Sequence, residues 1–156
     1  RLGKADHWGE FVHAKSSNGL YSRMVLSTTT TGATPFELIS SFTLGGYPSP
    51  TTYQSYLSLA DDTAYRFRID AIGWEETTGD TAWWEIAGCI KRGTGAASTA
   101  LVGSVYVTTD SDAGASAWQL NVTADTTNGR LKIEATGEAA HTIRWQATIH
   151  STKVNG

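Results

Sequence analysis

The stretch HTIRWQATIH at residues 141–150 alternates without a break. Ile143, Trp145, Ala147 and Ile149 fall on one side of an extended chain, while Thr142, Arg144, Gln146 and Thr148 fall on the other. A period of two with apolar residues on one face only is the pattern of a strand that lies between a core and water. The same pattern continues upstream. Trp118, Leu120, Val122 and Ala124 alternate with Gln119, Asn121 and Thr123, and Leu131 and Ile133 alternate with Lys132 and Glu134. Between these two runs sits Asp125-Thr-Thr-Asn-Gly129, whose Asn128-Gly129 pair predicts a hairpin turn because both residues tolerate positive φ.

Further from the opening stretch, an Asp61-Asp62 turn precedes Tyr65, Phe67, Ile69 and Ala71, which alternate with Arg66, Arg68 and Asp70. Ile72 and Trp74 then place apolar residues in the opposite phase, which predicts a bulge near Gly73 or a change of covering partner. Residues 75–80 read as a polar hairpin loop leading into a strand over 81–92, and residues 101–108 and 20–27 read as further strands. Residues 36–56 are interrupted by Gly45-Gly46, Pro48 and Pro50, which predicts a long loop bearing aromatic residues. No window carries a helical apolar stripe, and no repeat or linker divides residues 1–156. The expectation is one all-β domain, an antiparallel two-sheet sandwich of jelly-roll type.

The composition sets further bounds. A chain of 156 residues buries a substantial core without disulfides or metals. Its single cysteine, Cys89, has no intrachain partner and reads as a buried small hydrophobe. A net charge of −3 argues against nucleic-acid binding, which favours a basic face. Only 17% of the residues are charged, so the surface is rich in hydroxyl groups rather than ions. No apolar run approaches the roughly 18 residues of a membrane span, and the N-terminus lacks a basic-then-apolar leader pattern. The chain begins at Arg1, which suggests a fragment of a longer protein.

The strand at 82–90 is apolar on both faces. Ala82, Trp84, Ile86, Gly88 and Ile90 share one side, and Trp83, Glu85, Ala87 and Cys89 share the other. Something must cover the second side. Two coverings are open: the 36–56 segment folded over it, or a subunit interface containing Trp83, Glu85 and Cys89.

Several segments together resemble a module of bacteriophage tail fibres and tailspikes. They are Ala64-Tyr-Arg-Phe-Arg68, the run from Ala82-Trp-Trp-Glu-Ile to Lys91-Arg92, Gly114-Ala-Ser-Ala-Trp118, Asp125-Thr-Thr-Asn-Gly129, Gly137-Glu-Ala-Ala140 and Thr142-Ile-Arg-Trp-Gln-Ala-Thr148. Residues before about position 60 align with it less well, and the doubled Trp83-Trp84 departs from a pattern in which one aromatic is more usual. The resemblance implies a C-terminal, β-rich, homotrimeric part of a virion tail appendage, made in the host bacterial cytoplasm and directed at the host surface. It supplies no catalytic residues.

Direct inspection for chemistry agrees with a binding or capping role. His7, His13, His141 and His150 are scattered, which predicts no metal site of the usual kind within one chain. No nucleotide or nucleophile-elbow motif is present, so no cofactor is expected. Glu75-Glu76 and Asp61-Asp62 read as solvated loop and turn residues rather than a glycosidase pair, and Glu85 as a structural ion partner of Arg92 or Lys91 from another chain. Sugar recognition needs flat aromatic faces beside polar groups, and the candidates are Trp8, Tyr47, Tyr53, Tyr56 and Trp74, with Arg66 and Arg68 as donors to acidic sugars. Trp118 and Trp145 lie on core faces and are excluded. The expectation is therefore a non-enzymatic domain that contacts bacterial surface polysaccharide or stabilises a trimer, with no nucleic-acid or membrane partner. The alternatives are a capsular polysaccharide hydrolase and a purely structural cap.

Overall fold

A computed structural model describes residues 10–15, 19–44 and 51–156. Its strands are β1 (Glu10–Lys15), β2 (Gly19–Thr30), β3 (Phe36–Glu37), β4 (Ser40–Leu44), β5 (Thr51–Ser55), β6 (Leu57–Ser58) and β7 (Thr63–Glu75), followed by β8 (Thr81–Arg92), β9 (Ala100–Leu101), β10 (Tyr106–Ser111), β11 (Gln119–Asp125), β12 (Arg130–Thr136) and β13 (Ile143–Asn155). The larger sheet has the order β1-β2-β13-β7-β8-β10, with β9 also paired to β8. The smaller sheet is β11-β12-β3, with β6 on the other end of β12, and β4 and β5 pair with each other. All pairings are antiparallel. The two-sheet antiparallel arrangement expected from alternation is present.

The opening stretch supplies β13, the last strand in sequence and a central one in space. It is flanked by β2 on one side and by β7 on the other. Its inner face, Ile143, Trp145, Ala147 and Ile149, is buried with Phe67 and Ile69 of β7 and Ile86 and Ile90 of β8. Leu120, Leu131, Ile133 and Ala135 of the smaller sheet close the core from the opposite side, together with Leu38, Leu57 and Leu59. At one end of this core Trp145, 2% exposed, lies 5.3 Å from Trp84 and 5.8 Å from Trp118 between ring centroids. Its indole Nε1 donates a 2.9 Å hydrogen bond to Oγ1 of the buried Thr30. The buried N–H of Trp145 is thus satisfied inside the core, whereas the indole N–H of Trp118 in the same cluster has no hydrogen-bond partner among the described residues.

Four expectations are corrected. The register of β7 against β13 runs unbroken from Glu75 to Thr63, so there is no bulge at Gly73. Gly73 instead lies opposite Trp145, where an added Cβ would stand 3.0 Å from a carbon of that ring. The glycine makes room for the indole, and Ile72 and Trp74 simply remain on the outer face of a regular strand. Secondly, the 36–56 segment is no plain loop, because it contains β3, β4 and β5. Its start adds β3 to the smaller sheet with Leu38 in the core, and β6, just past its end, adds there too with Leu57 in the core. Thirdly, Cys89 is only half-buried, since it sits on the outer face of β8 opposite Arg66. Fourthly, in the β11–β12 turn Gly129 takes positive φ while Asn128 does not, because Asp125 shapes the turn by accepting backbone hydrogen bonds from Thr127 and Asn128.

Trp145→Ala is expected to cost about 3–5 kcal/mol, since it removes the largest fully buried side chain among the described residues and orphans Thr30. Gly73→Ala is expected to cost about 1–3 kcal/mol by crowding that indole. Urea unfolding of both variants checks the two values.

Candidate functional site

The outer face of the larger sheet is where residues can meet a partner. Cross-strand registers set it out in rows. One row reads Thr29, Arg144, Trp74 and Thr81, and the next Ser27, Gln146, Ile72, Trp83 and Asp110. A third reads Val25, Thr148, Asp70, Glu85 and Thr108, and a fourth Arg23, His150, Arg68, Ala87 and Tyr106. The face is therefore aromatic and polar at one end and ionic in the middle.

At the first end an open groove of about 580 Å³ is lined by Ser27, Thr29, Ile72, Trp74, Arg144 and Gln146, with Ile39 at its margin. Trp74 is 43% exposed and Arg144, its direct cross-strand neighbour, is 68% exposed. The groove thus combines one indole, one guanidinium, one carboxamide and two hydroxyls. Those are the groups that bind the apolar ring faces and the hydroxyl groups of a saccharide.

The groove's margin is held by the β7–β8 loop. Glu75, expected to be solvated, is 1% exposed, and its Oε2 accepts hydrogen bonds from the Thr78 and Thr77 backbone amides and the Thr78 hydroxyl. These bonds, led by the Thr78 amide, hold its carboxyl below the ordinary value of 4.5. His141 Nδ1 lies 3.8 Å from its other oxygen. The next residue, Glu76, donates its amide to Thr142 O at 3.0 Å and accepts a hydrogen bond from Arg144 Nε. One carboxylate shapes the loop and its neighbour orients the arginine.

The expected sugar-binding residues do not converge. Arg66, Arg68 and Trp74 share the outer face of β7, but Arg68 and Trp74 are six residues apart, roughly 20 Å along a strand. Arg66 donates to the carbonyls of Phe67 and Gly88, and Arg68 bonds Asp70 at 3.1 Å and Glu85 at 3.3 Å. Glu85 therefore has a partner in its own chain, which corrects the expectation of Lys91 or Arg92 from another. Arg92 turns instead to Asp61 at 2.7 Å and to Leu59 O. Tyr56 lies by the smaller sheet, with the Arg130 guanidinium 3.8 Å above its ring. Tyr53 is in β5 opposite Phe42. Trp8 and Tyr47 lie outside the described residues.

Trp83, Glu85 and Cys89 do share the outer face of β8. Trp83 is 43% exposed, so the described part of 36–56 does not cover it. Tyr106 on the neighbouring edge strand is 66% exposed.

Sequence reasoning missed two features. Arg144 and Gln146 were read only as the wet side of a strand, because nothing in their spacing shows that Trp74 stands beside them. The second feature is a polar cluster on the smaller sheet, where Arg130 bonds Asp125 at 2.8 Å and Glu37 at 2.9 Å. The Asn128 side chain, Arg130 and the turn amides hold the Asp125 carboxyl well below the usual range, whereas burial raises that of Glu37 despite Arg130. Asp125 thus organises the turn, and Arg130, bonded to both Asp125 and Glu37, ties β3 to the hairpin.

No protein-family model matches the chain, and no curated protein matches it either. Among solved structures, one match is the tailspike protein gp49 from Acinetobacter baumannii bacteriophage Fri1, a capsular polysaccharide depolymerase. The TM-score is 0.40 at 10% identity, covering 91% of this chain and 19% of that one. This finding stands against the expectation of a non-enzymatic chain, because the matched protein is an enzyme, of which this chain spans about a fifth of the length. At that similarity the match assigns no residue of this chain a catalytic role. Among the described residues, no helix is long and apolar enough to cross a membrane.

Because Glu75 is more acidic in the fold than its ordinary value of 4.5, its ionised form stabilises the fold above that pH. The stabilisation is lost as pH falls through the folded value. Glu75→Gln is therefore expected to be less stable than the parent at pH 7, with the gap closing progressively below pH 4.5. Denaturant unfolding across pH checks this, and a gap that does not change with pH would contradict it.

Proposed function

We propose that this chain is a domain of a phage tail appendage that contacts bacterial surface polysaccharide through the Trp74 groove. The carrying observation is the exposed indole of Trp74 set directly beside Arg144, within reach of Gln146, Ser27 and Thr29. An aromatic plane next to hydroxyl, amide and guanidinium groups suits a sugar, which presents apolar C–H patches between hydroxyls. The rigid sheet beneath it presents these groups without loop ordering, which lowers the entropic cost of binding. The appendage reading is supported by the segments that resemble tail fibre modules. Ala64 to Arg68 falls in β7, Ala82 to Arg92 in β8 and Thr142 to Thr148 at the start of β13, three adjacent strands that form the sheet bearing the groove.

Within this reading the chain acts as a homotrimer assembled on the virion, and Trp83, Glu85 and Cys89 face a neighbouring subunit. The support is the exposed indole of Trp83, beside the groove-lining Ile72, and the exposed Tyr106 two rows further along, all left uncovered by the described residues. A receptor-contacting subunit uses such a surface for assembly and leaves the Trp74 end open.

Trp74→Ala is expected to weaken binding to purified host capsular polysaccharide by at least about tenfold, as for loss of an aromatic anchor, without changing thermal stability. Isothermal calorimetry reads the first and thermal unfolding the second; unaltered binding would exclude the groove. For the assembly, Trp83→Ala is expected to shift the light-scattering mass from three chains toward one. A mass that stays at three chains would remove Trp83 from the interface.

A further inference from the structure

We infer that the Trp74 groove selects acidic saccharides, and that Arg144 is the specificity-determining residue that takes the sugar carboxylate. The inference rests on the polysaccharide reading above and adds the chemical class of the ligand. Among the described residues, the Arg144 guanidinium bonds Glu76, and it does so through Nε. That single bond holds the plane of the group by one edge. Its two terminal amino groups have no protein partner among the described residues, so a fork of parallel N–H donors faces outward at the groove. Such a fork matches a carboxylate with two hydrogen bonds.

The surroundings make this an address for an anion and not a spare surface arginine. Glu76 is fixed from behind, since its amide is bonded to Thr142 O and the Glu75 carboxylate holds the loop's following amides. Arg144 is therefore oriented before a ligand arrives. Arg68, by contrast, is bonded to both Asp70 and Glu85 and offers no comparable fork. On either side of Arg144 in its row stand Trp74 and Thr29, so a sugar ring resting on the indole brings a ring carboxylate to the guanidinium and a hydroxyl to Thr29. Sequence alone favoured Arg66 and Arg68 for this task. Arg68 is engaged by two carboxylates, and Arg66, which bonds two carbonyls through one amino group, stands eight residues from Trp74 along β7, roughly 25 Å away.

The experiment uses a panel of purified acidic capsular polysaccharides, each in native form and after chemical reduction of its carboxyl groups to alcohols. Binding to the intact protein, Arg144→Gln, Arg144→Lys and Trp74→Ala is measured by calorimetry. Carboxyl reduction and Arg144→Gln are each expected to weaken binding about tenfold, the size of one charge-assisted pair. The two losses should not add, because the glutamine variant should bind native and reduced forms alike. Arg144→Lys should restore only part of the affinity, since it keeps the charge but lacks the fork. Equal binding of native and reduced polysaccharide by the intact protein, with Trp74→Ala still abolishing it, would overturn the acidic selectivity and leave the polysaccharide reading standing. Failure of the intact protein to bind any member of the panel would overturn both. An Arg144→Gln loss that is equally large on reduced polysaccharide would also overturn the proposal, by showing that Arg144 serves a hydroxyl rather than a carboxylate.

Discussion

The packing of Trp145 against Trp84 and Trp118, opposite a glycine, is the constraint on which the rest depends. An indole buried between two sheets fills a volume that no smaller residue fills, and its N–H must find an acceptor. Thr30 supplies the acceptor and Gly73 the space. These requirements tie β2, β13, β7 and β8 into one register, and Trp118 brings in the segment leading to the smaller sheet. Because strand residues alternate faces, fixing Trp145 inward also fixes Arg144 and Gln146 outward. The core and the groove are thus two sides of the same register.

Polar groups at the sheet ends are organised by carboxylates with separate tasks. Glu75 bonds backbone amides in the β7–β8 loop, and Asp125 does the same in the β11–β12 turn. Both have depressed proton affinity because several donors favour the charged form. Asp125 also shares Arg130 with Glu37, and Glu76, next to Glu75 in sequence, pairs with Arg144. The Glu37 and Asp125 pair clamps the smaller sheet around Arg130, whereas Glu76 touches only one nitrogen of Arg144. That difference in saturation separates a structural ion cluster from a guanidinium still able to bind.

Much of the fold was legible residue by residue. The alternation of 143–149, 118–124 and 65–71 states which side chains enter the core, and each of those inward positions is buried or packed against the core. Reading Ile72 and Trp74 as a break failed for a physical reason: apolar residues on an outer face look like a phase change when the face itself has a task. The 36–56 segment was misread because the two-residue β3 carries no period to detect and pairs with the distant β12, and because the Gly and Pro residues between β4 and β5 hid that these two strands pair with each other. The candidate site was half legible. Trp74 stood out as an aromatic on a wet face, but its neighbours Arg144 and Gln146 are some seventy positions away in sequence.

The amino-acid sequence by itself determined that the chain is all-β, which side chains face inward along the clear strands, and where the Asp61-Asp62 and Asp125 to Gly129 turns lie. These follow from side-chain periodicity and local backbone preference, which act over a few residues. Only the tertiary structure decided that the last strand sits at the centre of the larger sheet, that Arg68 is paired to Glu85 while Arg144 keeps an outward fork, and that Trp74 stands beside it. Those facts depend on which strand lies next to which and in what register, and that choice is made by the long-range packing of indoles and aliphatic groups in the core.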